Sequence, residues 1–101
     1  MADVPYNFQK NGTVGITFEI VNIDPRAKKI LVINKSANLL EVRLKKGAQL
    51  WNAESDATPI LGNGGSTTFY NSISFEVNAP QIQLRGGAAG TAYHILATRM
   101  R

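Results

Sequence analysis

The sequence predicts an all-β domain, an antiparallel β-sandwich of jelly-roll or immunoglobulin-like type with seven to nine short strands. Three observations carry that expectation. Apolar residues recur at every second position in several short runs, the mark of strands with one buried face. Glycine, proline and asparagine break those runs at intervals of roughly ten residues, the spacing of sandwich and barrel strands. No stretch keeps helical spacing between caps, and the one candidate, around Gly87 to Ala92, is short and contains Gly90.

Taken in order, residues 1–12 are polar and aperiodic, with Pro5, Asn7, Asn11 and Gly12, and read as an N-terminal arm whose alternating Tyr6 and Phe8 dock on something. Residues 13–101 then form a single β-sandwich domain. Val14, Ile16, Phe18 and Ile20 alternate with polar residues and predict a half-buried strand. Asp24-Pro25 marks a turn, because proline presets one dihedral and aspartate bonds its own backbone. Lys29 to Asn34 is an unbroken apolar run between polar ends, which predicts a central strand covered on both faces. Leu40, Val42 and Leu44 alternate with Glu41, Arg43 and Lys45, so a polar turn at Lys35 to Asn38 is expected to join two consecutive antiparallel partners.

Gly47 to Trp51 suits a short strand, and Asn52 to Thr58 a loop of small and acidic residues. Gly62-Asn63-Gly64-Gly65 is the strongest turn signal, since these residues tolerate the positive φ of tight turns. Ser66 to Tyr70 is rich in threonine and aromatics; Ile73, Phe75 and Val77 alternate; and Gln81 to Arg85 alternates through Ile82 and Leu84, as a strand does. Gly86 to Gly90 reads as a flexible hairpin connection into a last strand over Thr91 to Arg99.

Composition bounds the function. The chain has 101 residues, 44% hydrophobic and 18% charged, enough for one packed core and far from the composition of disorder. It has no cysteine, so disulfides and thiolate metal sites are excluded for these residues. The first residues lack the basic-then-apolar pattern of a leader, and no run approaches the ~20 apolar residues that span a bilayer, so a soluble product with no membrane partner is expected. Net charge is +4, yet the cations are scattered rather than clustered. Arg43 and Lys45 share their strand face with Glu41 and have no aromatic neighbour in sequence, so nucleic acid is not an expected partner.

Catalytic devices each lack a part. A nucleophilic triad would have to use His94, the single histidine, which lies mid-strand on a face shared with Leu96 and Thr98. The acidic residues are spread singly except Glu54 and Asp56, a pair that reads as a solvated loop before it reads as part of a calcium site. Gly86-Gly87-Ala88-Ala89-Gly90 lacks the lysine and hydroxyl of a phosphate loop. No catalytic residue, metal ligand or cofactor is therefore assigned. Trp51 or Tyr70 offers an aromatic platform for sugar, which gives the alternative reading of a carbohydrate-binding or other ligand-binding module.

The run Ile33-Asn34-Lys35-Ser36-Ala37-Asn38 before Leu40-Glu41-Val42-Arg43-Leu44, and the ending from Ile82-Gln83-Leu84-Arg85 through Gly86 to Gly90 and Thr91 to Thr98, resemble small β-sandwich virion proteins of tailed bacteriophages. The resemblance covers about half of the chain. It implies a capsid decoration, or cement, protein: non-enzymatic, resident in the virion, homo-oligomeric, and stabilising the head by bridging copies of the major capsid protein or other virion subunits. Candidate partner contacts are Tyr6, Phe8 and Lys10 in the arm and the basic residues Arg26, Lys28 and Lys29.

Overall fold

The alternation becomes eight strands in the computed structural model, which describes residues 6–23, 28–45, 50–66, 68–76 and 80–99. They are β1 (Tyr6–Val14), β2 (Glu19–Asn22), β3 (Lys29–Asn34), β4 (Leu40–Arg43), β5 (Thr58–Ile60), β6 (Asn71–Phe75), β7 (Gln81–Gly86) and β8 (Thr91–Arg99). A single 3₁₀ turn at Glu54–Asp56 is the one helical element among the described residues. The strands form two antiparallel sheets, ordered β1-β8-β3-β6 and β2-β7-β4-β5. Only β4 and β5 are joined neighbours within a sheet; every other connection carries the chain from one sheet to the other. That is the double Greek key of a jelly roll, so of the two expected topologies the jelly roll is the one adopted.

The core lies between the sheets. Alternate residues point inward: Ile30, Val32 and Asn34 from β3, Leu40 and Val42 from β4, Ile82 and Leu84 from β7, and Tyr93, Ile95 and Ala97 from β8 are all buried. Burying an aliphatic side chain of this size stabilises by about 1.5–3 kcal/mol, and without disulfides this layer carries the fold.

Several expectations change at this level. Tyr6 to Gly12, read as an arm, belongs to β1, which pairs along its whole length with β8 from Tyr6↔Arg99 to Val14↔Thr91. Its composition hid this because β1 is an edge strand, and only Phe8, Gly12 and Val14 with Lys10 alternate on its inner side. The strand predicted over Val14 to Ile20 is broken by a bend at Ile16 and Thr17 that passes the chain between sheets. The Gly15 carbonyl accepts from the Gly86 amide at 2.8 Å, and the Glu19 carboxylate accepts from the Gly15 amide at 2.8 Å. Ile16 and Ile20 are consequently exposed, and the inward role passes to Val21.

β3 is central, between β8 and β6, but it is covered on one face only: Leu31 and Ile33 lie half-buried on the outer side. Finally, β3 and β4 are not partners, nor are β7 and β8. The turns at Ser36–Asn38 and Gly87–Gly90 are crossovers, a distinction that local turn chemistry does not encode. Ser66 and Thr68 to Tyr70 carry no strand before β6; of the short strand expected over Gly47 to Trp51, residues 47–49 lie outside the described residues, and Trp51 forms an isolated bridge with Lys45. The turn at Gly64 and Gly65 is as expected, with φ of 65° and 86°.

Candidate interaction surfaces

Pairing across β4 and β7 aligns their outward side chains into rows, Glu41 with Arg85 and Arg43 with Gln83. Arg85 donates through Nε to Glu41 Oε1 at 2.9 Å, with Nη2 also 2.9 Å from that oxygen, and its Nη1 lies 3.4 Å from Glu54 Oε1. Arg43 donates from Nε to the Asn52 carbonyl at 2.6 Å and from Nη1 to Gln83 Oε1 at 2.9 Å, and Nη1 is 3.9 Å from Glu54 Oε2. Phe18, carried in from the β1–β2 connection, lies under both guanidinium groups, 4.3 Å from Arg85 and 5.4 Å from Arg43. Further along, Lys45 donates to Gln81 Oε1 at 3.2 Å and sits 5.1 Å from the Trp51 ring centre, while Gln81 donates to Asn22 Oδ1 at 3.1 Å.

Sequence reasoning gave Arg43 and Lys45 no aromatic neighbours; the fold supplies Phe18 and Trp51. Phe18 lies 25 positions before Arg43 and 67 before Arg85, so nothing local announces the contact. The ion pairs on this face are half-exposed and individually weak, worth up to about 1 kcal/mol. Their effect is collective: Glu54 spans two arginines, and each guanidinium is already occupied by the chain's own acceptors. Trp51 is similarly engaged, with the Lys45 ammonium over its ring, so a sugar stacking there must first displace that cation. Tyr70 carries Lys35 at 5.3 Å in the same manner.

The opposite sheet presents β8 and β3 at the centre of its outer face. His94 faces outward with Leu96, as alternation predicted, across from Asn11 and Ile33. Its Nε2 is buried without a hydrogen-bond partner. Glu54 is committed to the two arginines rather than to a site with Asp56, and no group of three or more His, Cys, Asp or Glu side chains converges among the described residues. On the inner side Tyr93 is buried against Gly12, and burial first, with the Glu19 carboxylate second, pushes its phenol above the ordinary tyrosine range.

The six candidate contact residues fall unequally. Phe8 is half-buried and packs against the core. Lys10 is half-buried on the inner side of edge strand β1, opposite Ile95. Lys28 and Lys29 are exposed beside Thr98, whose carbonyl accepts from the Lys28 amide at 2.9 Å, and Tyr6 enters the same end of the sheet opposite Arg99. Arg26 lies outside the described residues.

Comparison with known proteins gives no matching family model and no matching curated protein. A solved structure from work on Bacillus endospore appendages, described as a novel family of disulfide-linked pili, is similar with a TM-score of 0.57. The likeness covers 98% of this chain and 88% of that one at 13% sequence identity. At that identity the likeness is one of fold alone.

Proposed function

We propose that this chain is a non-enzymatic structural subunit that works in repeated copies on a larger assembly. The observation that carries this reading is the unequal protection of the sheet edges. Exposed edge strands pair with other chains unless they are shortened, charged or broken by proline. β5 is three residues long and contains Pro59; β2 is four residues long and begins at Glu19; β1 turns Lys10 toward the inside. β6, Asn71-Ser72-Ile73-Ser74-Phe75, has no charge and no proline and, among the described residues, a strand partner on one side only. An edge left open where the other three are guarded suits a joint between copies. The arginine, lysine and carboxylate groups of the other sheet are meanwhile spent on each other.

The pilus-type neighbour supports a building-block role by likeness of fold alone, and without cysteine these residues must associate by surface burial, not by disulfide linkage. The resemblance of residues 33–44 and 82–98 to phage virion proteins favours a head-decorating form, in which the chain bridges major capsid subunits and the exposed Lys28 and Lys29 face a more acidic shell.

The test is co-sedimentation of the purified protein with phage heads stripped of accessory proteins, together with negative-stain microscopy of the protein alone. Saturable binding at fixed stoichiometry supports the decoration form. Ordered fibres or particles made by the protein alone support the structural subunit and move it away from heads. In either case Ser72→Lys with Ser74→Lys, which charges the β6 edge, is expected to abolish assembly. A protein that stays monomeric up to about 1 mM and leaves heads unbound overturns the reading.

A further inference from the structure

The two ends of the sandwich differ sharply in charge. Among the described residues, the connections at one end (15–18, 35–39, 61–66, 68–70 and 87–90) contain a single charged residue, Lys35. Those at the other (23, 28, 44–45, 50–57, 76 and 80) contain five: Lys28, Lys45, Glu54, Asp56 and Glu76. Of the seven exposed large apolar side chains among the described residues, five are gathered at the first end: Ile16, Leu39, Leu61, Phe69 and Tyr70, at 37 to 69% exposure. The Lys35 charge is partly absorbed, since its ammonium lies 5.3 Å from the Tyr70 ring.

This end is also held rigid. The Asn63 amide donates to the Ser36 carbonyl at 3.0 Å, and Asn63 Nδ2 to the Ser66 carbonyl at 2.8 Å. Asn71 Nδ2 donates to the carbonyls of Leu61 and Gly62 at 3.0 and 3.1 Å. The Gly87 amide donates to the Leu39 carbonyl at 2.8 Å. A Cβ at Gly62 would fall on the Ala37 carbonyl, so glycine there lets two connections touch backbone to backbone. Loops whose polar groups are already satisfied lose little when water leaves, and loops already ordered give up little entropy on binding.

We propose that this end docks a second copy of the same chain, tip to tip about a two-fold axis. The inference rests on the structural-subunit reading and names a surface through which copies meet. Area favours that occupant. The five side chains present on the order of 500 Å² of apolar surface, and two tips closed on each other remove about twice that, which reaches the ~1,000 Å² of a specific interface. Charge sets the orientation. The charged end of another copy would leave ions desolvated against apolar loops, whereas a second tip brings only Lys35 and Glu19, the latter already accepting from the Gly15 amide of its own chain. Such a contact is isologous and closes at two copies.

Light scattering after size exclusion, from about 1 µM to about 1 mM, tests this. The wild-type protein is expected to reach twice the monomer mass. Leu61→Asp with Phe69→Asp charges two loop positions that are more than half exposed, so circular dichroism should be unchanged while the dimer Kd rises at least about tenfold. Leu50→Asp, equally exposed but at the charged end, should leave the mass unchanged.

A monomer throughout, or a dimer indifferent to the tip charges, overturns the inference. So does a monomer that floats with phosphatidylcholine vesicles and loses that binding in the tip variant, which would assign the tip to lipid. Assemblies lost in the β6 lysine variant but intact in the tip variant leave the structural subunit standing and remove the tip contact. A tip-dependent dimer that forms no larger particle and binds no heads does the reverse.

Discussion

Asn34 ends β3 with its side chain wholly buried, and all four of its hydrogen-bonding positions are used. Nδ2 donates to the carbonyls of Asn38 and Ile60 at 2.7 and 2.9 Å; Oδ1 accepts from the Ser36 amide and hydroxyl at 3.0 and 2.8 Å. One amide thus holds the β3–β4 crossover closed and ties it to β5 in the other sheet. Asn34→Ala strands these partners in a dry site and should lower stability by about 2–4 kcal/mol. Asn34→Asp keeps the acceptor but loses both donors and sets a buried carboxylate against two carbonyls, so it should cost more. Urea denaturation of the two variants decides; an aspartate variant as stable as the alanine one would remove the donor account. In the sequence Asn34 is legible only as the polar end of an apolar run. Its main partner beyond the turn, Ile60, lies 26 residues on, and no local signal pairs them.

Among the elements, those whose apolar run or alternation was bounded at each end by polar or turn residues were legible. β8 runs from Thr91 to Arg99 as expected, β3 has its expected bounds, and β7 extends one residue beyond Gln81 to Arg85. Misreadings fell where alternation and strand part company. Val14 to Ile20 keeps its period through a bend, because apolar side chains on either side of a corner still find partners: Val14 in the core and Phe18 beneath Arg85. β1 was hidden for the opposite reason, an edge strand with little apolar content. This reassigns the outcome of a truncation. Removing residues 1–12 takes away seven of the nine residues of β1, exposes the outer hydrogen-bonding edge of β8 and strips Phe8 from the core. Loss of that half-buried ring alone costs about 1 kcal/mol, roughly half of what a fully buried side chain contributes. The truncated protein should therefore show a lower urea midpoint and a newly sticky edge; an unchanged midpoint would restore the detached arm.

At the scale of the molecule, what could not be read was topology, and topology governs how the protein folds. Six of the seven connections pass between sheets, so neither sheet is made from a continuous stretch of chain. β8, last in sequence, lies between β1 and β3, and the first sheet therefore lacks its centre until the final residues are placed. Only β4 and β5 can pair as a local unit. Such non-local pairing must meet loop-closure entropy before contacts compensate it, which puts folding in the range of milliseconds to seconds. It also makes the two sheets one cooperative unit, since each strand of one is tethered on at least one side to a strand of the other. Trp51, the single tryptophan, reports on the end of the β2-β7-β4-β5 sheet through its contact with Lys45, and Tyr93 reports from the core side of the other sheet. Equilibrium unfolding followed by Trp51 fluorescence, by tyrosine absorbance in a Tyr6→Phe, Tyr70→Phe background that leaves Tyr93 alone, and by far-UV circular dichroism should give one midpoint and one slope. A Trp51 transition at lower denaturant than that of Tyr93 would mean that the second sheet opens alone, and the crossovers would then be hinges between two separable layers, not the stitching that makes them one.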